Sequence, residues 1–258
     1  MTGAKKLLLA SLALGFIGGY VDTVGFVALF GLFTAHVTGN FVLIGAELSR
    51  ASANSVLLKL LVFPTFIAAV ALARLVALRC ERTKTVASRP LLVMQTVLLL
   101  VALVCSVPAG AVLAPDAPWA MATGLFMTAA MAVQNAAGRL AWPALTPTTV
   151  MTGNVTQVVI DSVDLLRGAA GPEVRDRLKR FIWPVLAFAV GALSGAFAYA
   201  GWKFWVPAIT AGDARRSGRD GCEDGSQGVI ASEWVIPFRR EHHEQRPGPH
   251  PGRPATGL

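Results

Sequence analysis

The chain has 258 residues, 54% of them hydrophobic and only 15% charged, with a formal net charge of +8. A soluble domain carries about a quarter charged residues, so an ordinary soluble fold is excluded. Its three cysteines, Cys80, Cys105 and Cys222, have neither metal-ligand spacing nor the pattern of a disulfide framework.

Apolar runs of spanning length occur at Leu7–Gly31, Val56–Leu78, Leu91–Leu113, Trp119–Gly138 and Phe181–Val206. Each approaches or exceeds the roughly 20 residues a helix needs to cross a bilayer core. A buried soluble helix accounts for one such run, not five. The spans should be helices, because lipid offers no partner to an open backbone.

The opening MTGAKKLLLASLALGFIGG has the basic start of a signal peptide in Lys5 and Lys6. Its apolar run continues past a usual cleavage point, so it reads as a retained first span. Asp22 sits well inside that span, where an ionisable group costs at least ~2.5 kcal/mol on insertion scales. Partners for it are Gln134, Asn135, His36 or a bound cation. The simpler alternative is a cap or a satisfied buried carboxylic acid.

Next comes TAHVTGNFVLIGAEL, Thr34–Leu48, with Thr38-Gly39-Asn40 at its centre. The triplet returns 114 residues later as Thr152-Gly153-Asn154, and Glu47 meets Asp161 at the same offset. With small shifts, Asp22 falls opposite Gln134, Lys59 opposite Lys179 and Pro64 opposite Pro184. The order is shared: polar-bearing span, triplet, acidic residue, basic residue, Pro-bearing span. Such internal repeats are the usual build of secondary transporters. Leu91–Leu113 has no counterpart and joins the two copies.

Gly opens backbone conformations closed to other residues, and Asn tolerates the left-handed region. The triplets therefore mark places where a helix can unwind, which at membrane depth requires burial in protein or a wet cavity. There, freed carbonyls and a half-helix N-terminus can hold a ligand. The competing reading is helix packing through small residues and an interhelical Asn bond. Gly15–Gly19 and Gly191–Gly195 are most simply read as packing.

Basic residues cluster at Lys5 and Lys6, Arg79–Arg89 and Arg167–Arg180, while Ala114–Pro118 holds only Asp116. If both triplet segments are short or re-entrant, every basic cluster falls on the cytoplasmic side and the copies are inverted. If both cross fully, the clusters divide between the two sides. The first arrangement is preferred. Because these charges flank spans rather than form a stripe, nucleic acid is not expected as a partner. After about Pro207 the chain is rich in Gly, Pro, Arg and Glu and reads as a disordered tail. His242, His243 and His250 in that tail are not taken as a metal site. Asn154-Val-Thr matches a glycosylation sequon inside an apolar segment, where use is not expected.

The stretch GYVDTVGFVALFGLFTAHVTGNFVLIGAEL resembles the signature of the YoaK-type family of small bacterial multi-pass membrane proteins, a domain of unknown function. The matching residues are Gly19, Tyr20, Asp22, Thr38, Gly39, Asn40, Gln134, Asn135, Thr152, Gly153 and Asn154. The resemblance covers about Leu7 to Val206 and implies a bacterial inner-membrane protein, with no settled activity.

The expected fold is all-α, a polytopic transmembrane helical bundle at residues 1–206. It comprises two copies of a three-segment unit, about 7–78 and 119–206, joined by an extra helix at 91–113, with a disordered tail at 207–258. The expected function is a small-molecule or ion permease; the alternative is a non-transporting scaffold or assembly factor. Candidate binding residues are Asp22, His36, Thr38, Gly39, Asn40, Gln134, Asn135, Thr152, Gly153 and Asn154. Expected partners are the lipid bilayer and an unidentified small molecule or ion, and a homo-oligomer is compatible. No cofactor, metal or catalytic site is expected, since no His-Glu-x-x-His or Gly-x-Ser-x-Gly motif is present.

Overall fold

The computed structural model describes residues 3–49, 55–109, 117–143, 145–168 and 171–217. Asp116, Cys222, His242, His243 and His250 lie outside them. The described residues form seven helices: α1 Gly3–Ala28, α2 Gly39–Ser49, α3 Val56–Arg82, α4 Ser88–Ala109, α5 Pro118–Leu140, α6 Met151–Leu166 and α7 Pro172–Ser217. α7 continues beyond Val206, where the apolar run ends in the sequence. Four segments are long and apolar enough to cross a membrane: Leu7–Ala28, Val56–Arg82, Ser88–Val107 and Pro172–Gly201. The run Trp119–Gly138 forms α5 but is not one of the four. Thr123, Gly124, Thr128, Gln134 and Asn135 dilute its hydropathy, and it is buried along most of its length among the other helices.

Burial is distributed as lipid requires. Leu57, Leu60, Ile67, Leu72 and Leu75 of α3, Leu103, Val104 and Val107 of α4, and Leu193 and Phe197 of α7 are exposed. Asp22, Lys59, Gln95, Gln134, Asn154 and Asp161 are buried. An apolar outside over a core holding charges and amides fits hydrocarbon as the solvent and would be unstable in water. The protein is a polytopic all-α integral membrane bundle.

Contacts fix the helix directions. α5 runs antiparallel to α1: Gly124 meets Leu29 and Leu32 just beyond the end of α1, whereas Gln134 reaches Leu14. α7 runs parallel to α1, with Gly15 against Pro184, Gly19 against Phe188 and Gly195 against Tyr20. α3 starts where α1 ends, since Lys59 Nζ donates to the Phe30 carbonyl. α4 returns along α5, with Leu91 packed near Ala136 and Ala137, and Ala102 in one cluster with Ala120. Thus α1, α4 and α7 point one way and α3 and α5 the other. The start of α1, the α3–α4 turn and the start of α7 share one end of the bundle.

The small residues of α1 and α7 act as packing surfaces. A Cβ at Gly19 would overlap the Phe188 carbonyl, and one at Gly191 the Phe16 carbonyl. The backbones approach closely enough for only hydrogen at these positions, as small-residue interfaces in membranes do.

α1 stops in a left-handed turn, with φ of +56° at Phe30 and +76° at Gly31. The Gly31 amide closes onto the Phe26 carbonyl at 2.9 Å, a Schellman-type ending. A phenylalanine in this region is strained by about 1–2 kcal/mol. The turn sends the chain back alongside α1 instead of onward.

Candidate functional site

The segment after α1 is not helical again until Gly39. It descends beside α1 and is fastened to Asp22. The Asp22 Oδ1 accepts from the Thr34 amide at 2.8 Å, the Ala35 amide at 2.7 Å and the Thr34 hydroxyl at 3.3 Å. His36 Nδ1 donates to Oδ2 at 2.7 Å. Asp22 and Thr34 are buried and His36 is half-buried. A carboxyl group inside an apolar bundle is thereby surrounded by donors.

α2 departs from this clasp, and Asn40 locks the turn. Its Nδ2 donates to the Phe33 carbonyl at 2.8 Å, and its Oδ1 accepts the Phe33 amide at 3.0 Å. At Gly39 a Cβ would stand 3.0 Å from the Phe33 ring, so the small residue lets that ring lie against the helix start. With 11 residues, α2 reaches about 16 Å, well short of the ~30 Å hydrocarbon core. Its far end returns to the start of α3, where Glu47 meets the buried ammonium of Lys59, which also bonds Ser55.

In the second half of the chain a loop is also held against a long helix. After α5 the chain turns back, and α5 fastens it through amides: Gln134 Nε2 donates to Thr148 Oγ1 at 3.0 Å, and Asn135 Nδ2 to Thr149 Oγ1 at 2.9 Å. Gln134 also donates to the Leu14 carbonyl at 2.8 Å and accepts from Gln95 at 2.7 Å. One buried amide thus ties α1, α4 and the loop to α5. Asn154 Nδ2 donates to the Pro147 carbonyl at 2.6 Å, the same seven-residue reach as Asn40 to Phe33. Proline has no N–H to return, so this latch has one bond where the first has two. α6 has 16 residues, about 24 Å, and in its second half the buried Asp161 pairs with Arg177 at 2.7 Å. α6 is not one of the four long apolar segments. There the guanidinium of Arg177 holds the Asp161 carboxyl below the usual carboxylate range.

The second clasp borders a cavity of about 500 Å³. Gln134, Asn135, Thr146, Thr148, Thr149, Arg139 and Arg180 supply its polar lining, and among the described residues no acidic side chain lines it. Thr146 holds the loop to α7 by donating to the Arg180 carbonyl at 3.0 Å.

The candidate residues fall into two groups. Asp22, His36 and Asn40 organise the first clasp; Gln134, Asn135 and Asn154 organise the second. No hydrogen bond joins the groups among the described residues. They approach through α1 and α7: a Cβ at Gly18 would lie 3.1 Å from the Thr148 carbonyl and 3.5 Å from Gln134 Nε2. Asp22 lies one helical turn further along α1. Phe188 lies beside both, against Gly18 and edge-on to His36 with centroids 5.6 Å apart. Thr38, Thr152 and Gly153 are exposed, and the nearest atom to a Cβ at Gly153 would be 3.9 Å away.

Sequence reasoning missed Thr34, Thr148 and Thr149, which receive the clasp bonds, and Arg139 and Arg180, which border the cavity. The pairs Thr34-Ala35 and Thr148-Thr149 keep the 114-residue offset of the triplets, and that register could have found them. Lys59 was aligned with Lys179; Lys59 pairs with Glu47, and the residue that pairs with Asp161 is Arg177.

A family model described as "Protein of unknown function (DUF1275)" matches residues 10–212. No curated protein and no solved structure matches the chain. The match takes in both clasps, both triplets, three of the four long apolar segments and the first from residue 10 on, in agreement with the YoaK-type resemblance. This integral membrane protein therefore belongs to the DUF1275 family.

Proposed function

We propose that the protein is a small-molecule or ion permease of the bacterial inner membrane, built from two inverted copies of one unit, and that it is not an enzyme. One observation carries this reading. Two short helices, α2 and α6, each begin at a hydrogen-bonded loop held against a long helix, and they enter from opposite ends of the bundle. Irregular backbone at membrane depth persists only when buried or lining a cavity, and discontinuous helices in inverted repeats form transporter sites. The paired bonds Phe33–Asn40 and Pro147–Asn154, and Glu47–Lys59 and Asp161–Arg177, support a shared unit. A path between the copies would pass Gly18 and Phe188.

The test is solute uptake. Proteoliposomes containing the purified full chain are compared with empty ones by untargeted metabolite analysis and by ion-flux dyes. At least one solute or ion should accumulate above the empty control. Equal traces throughout would favour the second reading, a non-transporting scaffold. That reading has its own support: Asp22 accepts four protein hydrogen bonds and does not line the cavity at the second clasp.

A further inference from the structure

The two clasps differ in charge. In the first, the protein's own carboxylate, Asp22, receives the amides of Thr34 and Ala35. In the second, α5 presents Gln134 and Asn135, which are neutral and donate to the Thr148 and Thr149 hydroxyls. Among the described residues no acceptor is found for the Thr148 and Thr149 amides, the counterparts of the pair that Asp22 fills. The cavity lies on this clasp, with the guanidinium-bearing residues Arg139 and Arg180 at its wall and no carboxylate among its lining residues. Neither arginine has an acidic partner among the described residues. The residue preceding α6, Val150, also lines the cavity and gives that helix no side-chain cap.

We propose that this cavity binds the oxyanion group of a small solute, a carboxylate or a phosphate, between Arg139, Arg180 and the Thr148–Thr149 loop. The bound group would take the place that Asp22 takes in the other clasp. The chemistry is that of a fork donor and peptide amides converging on negative charge, with the positive end of α6 adding in the same direction. The inference deepens the permease reading by naming a substrate class, but binding can be measured without transport. The plainer account is that both arginines are only cytoplasmic-side charges. That account expects no selectivity between these arginines and neighbouring basic residues.

The experiment is calorimetric titration of the purified full chain in neutral detergent with sodium phosphate and with sodium acetate, at ionic strength held constant by chloride. Saturable binding of at least one anion is expected. Arg180→Gln and Arg139→Gln should each weaken Kd by about tenfold, the scale of one charge-assisted bond, while Arg175→Gln should leave it unchanged. Matching thermal midpoints without anion establish that the variants fold, and Thr149→Val provides a second, uncharged probe of the same wall. Repeating the titration in phosphatidylcholine vesicles with and without phosphatidylglycerol separates two sources of the oxyanion. A solute site keeps saturable binding in both, weakened only by the surface repulsion of phosphatidylglycerol; a lipid head-group site loses saturable binding when phosphatidylglycerol is present, and that loss overturns the solute site. No saturable binding of either anion, or equal binding by wild type and both arginine variants, overturns the proposal. Anion binding without flux would leave it standing and remove the permease reading alone.

Discussion

Asn40 and Phe33 hold each other by two hydrogen bonds, the amide of one closing on both backbone groups of the other at 2.8 and 3.0 Å. Asn154 and Pro147 sit at the same separation but share a single backbone bond, at 2.6 Å. The difference predicts unequal costs. Asn40→Ala strands a donor and an acceptor, about 2–4 kcal/mol if each loses about 1–2. Asn154→Ala strands one acceptor and should cost roughly half that. Thermal unfolding in detergent gives the order, and equal losses would mean that the latches do not carry the difference.

The two ion pairs should also respond unequally. Lys59 is 1% exposed, whereas Arg177 is 44% exposed. Glu47→Leu leaves a buried ammonium with only Ser55 and the Phe30 carbonyl, a loss of about 3–5 kcal/mol. Asp161→Asn leaves Arg177 free to turn to water and should cost far less. Restoration of stability by adding Lys59→Met to Glu47→Leu would identify the stranded charge as the cause; a double variant no better than Glu47→Leu would point to lost packing instead.

Glycines should be intolerant where a Cβ would run into backbone, as at the α1–α7 contact, and tolerant where it would meet nothing. Gly191→Ala places a methyl on the Phe16 carbonyl, and neither backbone can yield without parting the helices. Folded protein should fall sharply on size-exclusion chromatography. Gly45 in α2 has nothing within 4 Å of a Cβ, so Gly45→Ala should stabilise by about 0.5–1 kcal/mol through helix propensity.

The large features were legible because they depend on composition and period. Runs of lipid-compatible length gave the long helices, but the triplets do not unwind as expected: the chain is non-helical before each of them, Gly39 and Asn40 open α2, and Thr152, Gly153 and Asn154 lie in the first turn of α6. Asp22 was recognisable from its cost in an apolar span. Its partners were less so: His36 was among those weighed, but the Thr34 and Ala35 amides carry no side-chain signal. The triplets also divide labour in a way their letters conceal. Asn40 and Asn154 turn inward and latch, Gly39 makes room for a ring, and Thr38, Thr152 and Gly153 face outward. Identical letters acquired different roles because the preceding residue to be latched is Phe33 in one half and Pro147 in the other. Arg180 read as a topological charge and Arg139 carried no reading at all, since only the folded loop brings them to one cavity.

Sidedness is the remaining expectation, and it follows from helix direction together with charge. The start of α1, the α3–α4 turn and the start of α7 share one end of the bundle, and Lys5, Arg79, Arg82, Lys84, Arg175 and Arg177 lie there. Positive loops stay in the cytoplasm, so that end should face inward and the α2–α3 connection outward. In a background with Cys80, Cys105 and Cys222 replaced by serine, single cysteines are placed at Lys84, Arg175 and Ser49, all exposed. A membrane-impermeant maleimide applied to whole bacterial cells (with the outer envelope permeabilised) should label Ser49→Cys alone. Lysis should then expose Lys84→Cys and Arg175→Cys. Labelling of Lys84→Cys but not Arg175→Cys before lysis would place the two basic loops on opposite sides. That outcome requires an odd number of crossings between them, so α2 and α6 could not both be re-entrant and the inverted copies would be ruled out.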